Sequence, residues 1–137
     1  MNMEYAQDNR TREETKKDFD FGKQQEKEAI FKLPFLIYPV NRDEFGVITD
    51  YAPDWFMYKD MFWWPTEFKS TRQEVSVYDL KQNQVDWLVK HGGAFLVSTP
   101  TRYAFLPANY VQRCDLVTDT FCSKPCYRVK ELDWHLF

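Results

Sequence analysis

Residues 53–69 read PDWFMYKDMFWWPTEFK, and the reading of this stretch decides the fold. Two apolar, ring-rich runs, Trp55–Tyr58 and Met61–Phe68, flank the polar dipeptide Lys59-Asp60. That pattern predicts two antiparallel strands joined by a tight turn. Pro65 cannot donate to a ladder, so within the second run it predicts a bulge or an edge position. Side chains two apart on a strand share a face, so Glu67 and Lys69 point the same way. Asp54, at the mouth of the neighbouring strand, lies near them.

Upstream, residues 1–17 are polar and charged with no apolar period, as expected of a flexible N-terminal arm. Asp18 or Asp20 then caps a helix that runs to Leu33 and stops at Pro34, with Phe19, Ala29, Ile30 and Leu33 as its apolar stripe. Phe35–Val40 predicts a first strand, Asn41–Glu44 a polar turn, and Val47–Thr49 is too short to assign. Downstream, Asp79 is expected to cap a second helix that buries Leu80, Val85, Leu88 and Trp87 and ends at His91-Gly92-Gly93. Ala94–Val97 and Tyr103–Leu106 then form an apolar hairpin, and Pro107–Val111 a short helical turn. Helix, three strands, helix and two strands in that order imply an α/β domain, a mixed sheet flanked by helices. Its core spans 18–113. Residues 114–137 are an extension packed on that core or on a dimer partner, and Cys126–Val129 and Leu132–Phe137 are its candidate strands.

The chain holds five Trp, eight Tyr and twelve Phe, which serve as core filler and also as flat platforms for bases. A net charge of −3 is spread evenly, so no segment is basic as a block and composition alone does not point to nucleic acid. No stretch approaches the roughly 20 apolar residues of a membrane span, and the first residues lack the apolar core of a secretion signal. Three cysteines without such a signal suit free thiols in a cytoplasmic protein. Cys114, Cys122, Cys126 and His135 lack the paired spacing of a zinc site, which favours buried or idle thiols. His91, beside two glycines, reads as a helix-end residue rather than a catalyst.

Two carboxylates and an ammonium on one apolar sheet are costly unless something occupies the space between them. A divalent cation suits that space, and Mg²⁺, for which Mn²⁺ can substitute, keeps waters and shares phosphate oxygens. Asp54 and Glu67 would hold it, and Lys69 would orient a water or stabilise extra negative charge, the parts that phosphodiester hydrolysis needs. A solvated hairpin face could carry the same three residues. Glu67-Phe-Lys69 ends the apolar run Met61–Trp64, however, where exposed charge is out of place.

With these residues in hand, the chain resembles the PD-(D/E)XK nuclease superfamily. Within it the likeness is greatest to Holliday-junction resolvases of the RecU and archaeal types, and to related phage and homing endonucleases. Gly22-Lys-Gln-Gln-Glu26 is similar to the Gly-x-x-x-Glu of the resolvases' first helix, Pro53-Asp54 and Glu67-Phe-Lys69 to the signature, and Gln84 to a helical Gln that follows it. His91-Gly-Gly-Ala-Phe-Leu-Val and Tyr-Ala-Phe-Leu-Pro are similar to the Gly-Gly strand and hairpin of RecU-type enzymes. The resemblance spans about residues 20–113 and implies a restriction-endonuclease-like fold. It also implies a Mg²⁺-dependent endodeoxyribonuclease whose catalytic set is Glu26, Asp54, Glu67, Lys69 and Gln84. The metal would lie on Asp54, Glu67 and Glu26. Helical phase allows only one of Glu26 and Glu28 to face it, and the spacing from Gly22 favours Glu26. Arg72 and Lys81 are candidate DNA contacts.

The resemblance also implies a homodimer or higher homo-oligomer acting on branched DNA. A site-specific homing or restriction-like nuclease cutting duplex is the alternative, and a non-catalytic DNA-binding or structural module a further one. The acidic balance departs from the usual basic character of junction binders.

Overall fold

The computed structural model describes residues 11–40, 52–119 and 124–137. The expected turn at Asn41–Glu44, the run Val47–Thr49, Cys122 and residues 1–10 lie outside them.

Helix α1 spans Arg12–Lys32, so it begins at Arg12 rather than at Asp18 or Asp20, and residues 12–17 are helix rather than arm. The cause is local. Thr11 sits in extended conformation and its Oγ1 accepts from the Glu14 N–H at 3.1 Å, while Glu13 and Glu14 place negative charge on the helix's positive end. This cap signal carries no apolar period, so hydrophobic patterning misses it. The apolar stripe also differs from expectation. Gln25, Ala29 and Leu33 are buried, Ile30 is half-buried and Phe19 is exposed. Buried Gln25 donates to the Thr99 carbonyl at 2.7 Å, which satisfies its amide and pins α1 to the far end of the sheet.

The strands are β1 (Leu36–Pro39), β2 (Trp55–Lys59), β3 (Phe62–Ser70), β4 (Tyr78–Lys81), β5 (Ala94–Ser98), β6 (Arg102–Pro107), β7 (Asp115–Asp119), β8 (Lys124–Val129) and β9 (His135–Leu136). Helices α2 (Gln82–Lys90) and α3 (Ala108–Val111) complete the fold. The main sheet has the order β1-β2-β3-β5-β6-β9, with β3 and β5 parallel and its other neighbours antiparallel. A second sheet, β4-β8-β7, comes largely from the C-terminal residues. Cys126–Val129 therefore builds a separate sheet, whereas His135–Leu136 extends the main one.

Three expectations need correcting. The β2–β3 turn centres on Asp60-Met61, one residue later than Lys59-Asp60, and both residues have positive φ (54° and 68°). Type I′ geometry follows the strand twist and explains the shift. Pro65 lies in a central strand, paired with Phe56, with no bulge. Counted from the closing pair Lys59–Phe62, Phe56–Pro65 is a pair without mutual hydrogen bonds, and the β5 ladder starts only at Thr66–Ala94. The missing N–H therefore costs the sheet nothing. Asp79 does not cap α2. It lies in β4, and its carboxylate takes two 2.9 Å bonds from Arg128 directly across the ladder, while Lys81 occupies the cap position.

Two cores flank the main sheet. Ala29, Leu33, Met57, Leu96 and Tyr103 pack beneath α1 on one face. Phe95, Val97 and Leu106 pack on the other with Val85 and Leu88 of α2, Val111 of α3, and Leu80, Tyr127 and Val129 of the small sheet. Strand β5 is buried along its whole length, as a strand covered on both faces must be. Its entry is set by the end of α2. Gly92 (φ +66°) takes the left-handed position, its N–H reaches the Val89 carbonyl and that of Gly93 reaches Leu88. A Cβ on Gly93 would fall 2.5 Å from Leu88 Cδ2 and 2.6 Å from the Pro65 carbonyl oxygen. Gly93→Ala should therefore destabilise the protein by about 2 kcal/mol or more. Gly92→Ala, which meets open space but a strained φ, should cost about 1 kcal/mol. Urea unfolding of the two variants checks the order.

Candidate active site

Strand alternation puts Glu67 and Lys69 on one face near the end of β3, 3.6 Å apart (Nζ to Oε1). Continuing the β2–β3 register one residue beyond Trp55–Thr66 sets Asp54 opposite Glu67. The Asp54 carbonyl accepts from the Val40 N–H at 2.9 Å, which ties this corner to β1. From α1, Glu26 reaches the same strand ends. Its Oε1 accepts from the Trp55 indole N–H at 2.6 Å, which orients both groups. Glu28 belongs to the outer surface, with Gln24 and Lys32 as partners. Helical phase thus places Glu26 at the pocket and Glu28 on a different side of α1.

A cavity of about 480 Å³ opens where these elements meet, and Gly22, Lys23, Glu26, Asp54, Lys69 and Tyr78 are among its lining residues. Gly22 sits mid-helix, where glycine costs about 1 kcal/mol relative to alanine, and a Cβ there would meet nothing within 4 Å. Packing gives no reason for it, whereas the pocket beside it does.

The electrostatics are those of a site that resists its own charges. Burial pushes the Glu26 carboxyl above the usual range; the Trp55 hydrogen bond opposes this, and the nearby Asp54 charge adds to it. Burial lowers the proton affinity of Lys69 against the restoring pull of Glu67, and Lys81 lowers it further. Tyr78, half-buried and near the Glu67 charge, is pushed up to about 12 by desolvation first and by that charge second. Sequence reading missed Tyr78, because the loop that brings it beside β3 has no local signature.

The remaining predicted residues fall outside the pocket. Gln84 is half-buried on α2 and its Oε1 is buried without a hydrogen-bond partner, but it does not line the cavity. Lys81 is exposed at the start of α2. Arg72 bonds Asp18 at 2.9 Å and lies over the Phe21 ring, so its first role is to clamp α1 to the end of β3. His91 closes α2 and stacks on Trp87. Cys126 is buried in the small sheet and Cys114 follows α3, while the His135 ring packs at a tilt against Tyr103 in the main sheet.

Among the described residues, no group of three or more His, Cys, Asp and Glu side chains is close enough to hold a metal ion. Glu26 and Asp54 share the pocket, and Glu67 stands beside it with Lys69. The two carboxylates that line the pocket are the kind of donor a hard cation takes. Mg²⁺ commonly uses one or two carboxylates and fills its other positions with water and phosphate oxygens.

No protein-family model and no curated protein matches the chain. Among solved structures, its fold is similar to that of Hjc, a Holliday junction resolvase from the hyperthermophilic archaeon Archaeoglobus fulgidus. The TM-score is 0.52 at 16% identity, over 81% of this chain and 84% of that one. At that identity the likeness is one of fold: a mixed sheet flanked by helices.

A carboxyl whose folded pKa is raised favours folding while protonated, and that contribution is lost as pH rises through the raised value. In chelating buffer, Glu26→Gln, which keeps an acceptor for Trp55, should therefore unfold at higher urea than the parent at neutral pH. The gap should close below about pH 4. A gap that does not change with pH would contradict the assigned cost. Gly22→Ala should raise stability by up to about 1 kcal/mol in the same assay while narrowing the pocket.

Proposed function

We propose that this protein is a metal-dependent DNA endonuclease of the PD-(D/E)XK type, selective for branched DNA. The observation that carries the proposal is the convergence of Glu26, Asp54 and Lys69 on one pocket, with Glu67 adjoining, at the strand ends of a fold similar to a Holliday junction resolvase.

In this reading Glu26 and Asp54, which share the pocket, would hold Mg²⁺, for which Mn²⁺ can substitute, and Glu67, across the ladder from Asp54, would meet the ion through one of its waters. The bound metal supplies a polarised phosphate and a more acidic water. Lys69, held by Glu67 and partly desolvated, donates to the phosphate oxygens that gain charge in the transition state. Trp55 keeps the Glu26 carboxylate in place. Tyr78, protonated at any working pH, offers a further neutral donor to a non-bridging oxygen. Lys23 and Lys81 add positive charge beside the site, so phosphate attraction is local even though the chain is acidic. Gln84, outside the pocket, has a supporting place at most.

A four-way junction presents two strands to be cut, which suits a homodimer. The sheet face bearing Leu36, Tyr38, Tyr58 and Trp63 is exposed and continuous, and an apolar patch of that kind supports self-association. Among the described residues no helix is long and apolar enough to cross a membrane.

The test is incubation with Mg²⁺ and either a four-way junction or linear duplexes, alongside Asp54→Asn and Lys69→Ala. Junction cleavage should fall at least 100-fold in either variant. A defined cut in linear duplex would favour a site-specific enzyme instead. Activity that survives both substitutions, or no cleavage of any DNA, would refute the assignment and leave a non-catalytic module.

A further inference from the structure

Beside its buried stripe, α1 carries a second one, Lys23, Glu26, Lys27, Ile30 and Phe31, of which Lys23, Lys27 and Phe31 are exposed and Glu26 and Ile30 half-buried. With Trp55 this stripe encloses a groove of about 480 Å³. Phe31 is 89% exposed, its ring turned to solvent beside the groove. Trp55 gives its one polar hydrogen to Glu26, which leaves its remaining accessible surface a flat apolar ring. Lys23 and Lys27 are exposed one helical turn apart along the same stripe. Lys23 and Glu26 line both this groove and the Asp54–Lys69 pocket, so the two are continuous across a single turn of helix.

A groove with two aromatic residues and two lysines asks for a ligand that is planar and apolar in one part and anionic in the next. A nucleic-acid strand with an unpaired base has that alternation, and stacking on rings tolerates any base. A protein partner fits less well: covering Phe31 would also bury Lys23, Lys27 and Glu26, and charged side chains are depleted from interface cores. We infer that this groove receives an unpaired nucleobase next to the phosphate held in the adjoining pocket. Phe31 and Trp55 stack on the base, and Lys27 meets the neighbouring phosphate. The inference rests on the nuclease reading and refines it: the preferred DNA has an unstacked base beside the cut.

The probe is a DNA duplex with one bulged 2-aminopurine, compared with a fully paired duplex of the same sequence, in chelating buffer so that nothing is cut. Binding should quench the bulged 2-aminopurine, and the protein should prefer the bulged DNA. Phe31→Ala, a change on the surface that leaves the core intact, should reduce that preference about tenfold and restore the emission, while Phe31→Trp keeps both. Lys27→Ala should weaken both duplexes and lower the salt slope by about one. Equal binding of the two duplexes by the parent, an unchanged preference in Phe31→Ala, or a smaller sedimenting species in Phe31→Ala (a protein interface) would each overturn the inference. The Mg²⁺ cleavage assay run in parallel separates the two claims. Cleavage lost in Asp54→Asn with no Phe31 effect leaves the nuclease reading standing alone, whereas a Phe31 effect without any cleavage leaves a base-binding groove without the nuclease.

Discussion

The structure depends on the parallel ladder between β3 and β5. A parallel pair cannot be closed by a tight turn, so the chain must leave the sheet after Ser70 and return before Ala94. That excursion supplies β4 and α2, and it ends where Gly93 slips between Leu88 and the Pro65 carbonyl with no room for a side chain. Because β5 is then internal and buried on both faces, one layer must cover each side: α1 on one, and α2, α3 and the small sheet on the other. The end of β3 is where these layers meet. Charged residues placed there are reached from α1 by Glu26, from the β2 corner by Asp54 and from the crossover by Tyr78. The pocket is thus a consequence of the topology as much as of the residues in it.

The same charged groups are used in two opposite ways. Asp79 and Arg128 face each other across a ladder with two short bonds, so the charges of the pair are satisfied within the fold. Glu26 and Asp54 repel, and burial works against the charge of both Glu26 and Lys69. Burial set against charge in this way is common to binding sites and to structural ion-pair networks, and here it coincides with a pocket. Gly22 belongs with it, a helix-weakening residue that opens space on the pocket side.

Much of the framework was legible because its signals are local. The hairpin, the shared face of Glu67 and Lys69, the phase that separates Glu26 from Glu28 and the glycine stop of α2 all follow from spacings within one or two elements. What could not be read depends on distant partners. Asp79 has the look of a helix cap and is claimed by Arg128, 49 residues away. Pro65 has the look of an edge residue, and only the parity of its register makes a central position harmless. The start of α1 is set by Thr11 and Glu14 without an apolar period, and Tyr78 enters the pocket through a loop with no pattern at all.

The acidic balance remains to be set against the proposed DNA substrate. Affinity for phosphate depends on the cations that reach it, not on the total, and Lys23, Lys27, Lys69 and Lys81 lie on or beside the elements that form the pocket. A few such contacts release few counterions, so binding by this chain would vary less with salt than binding through a broad basic face. Less of the affinity is then non-specific attraction to any duplex, and more must come from the shape of the site. Exposed rings beside the carboxylates suit that division, because stacking favours bases that have already left the helix. Under the proposed nuclease reading, selectivity for irregular DNA would thus follow from a weak general electrostatic attraction.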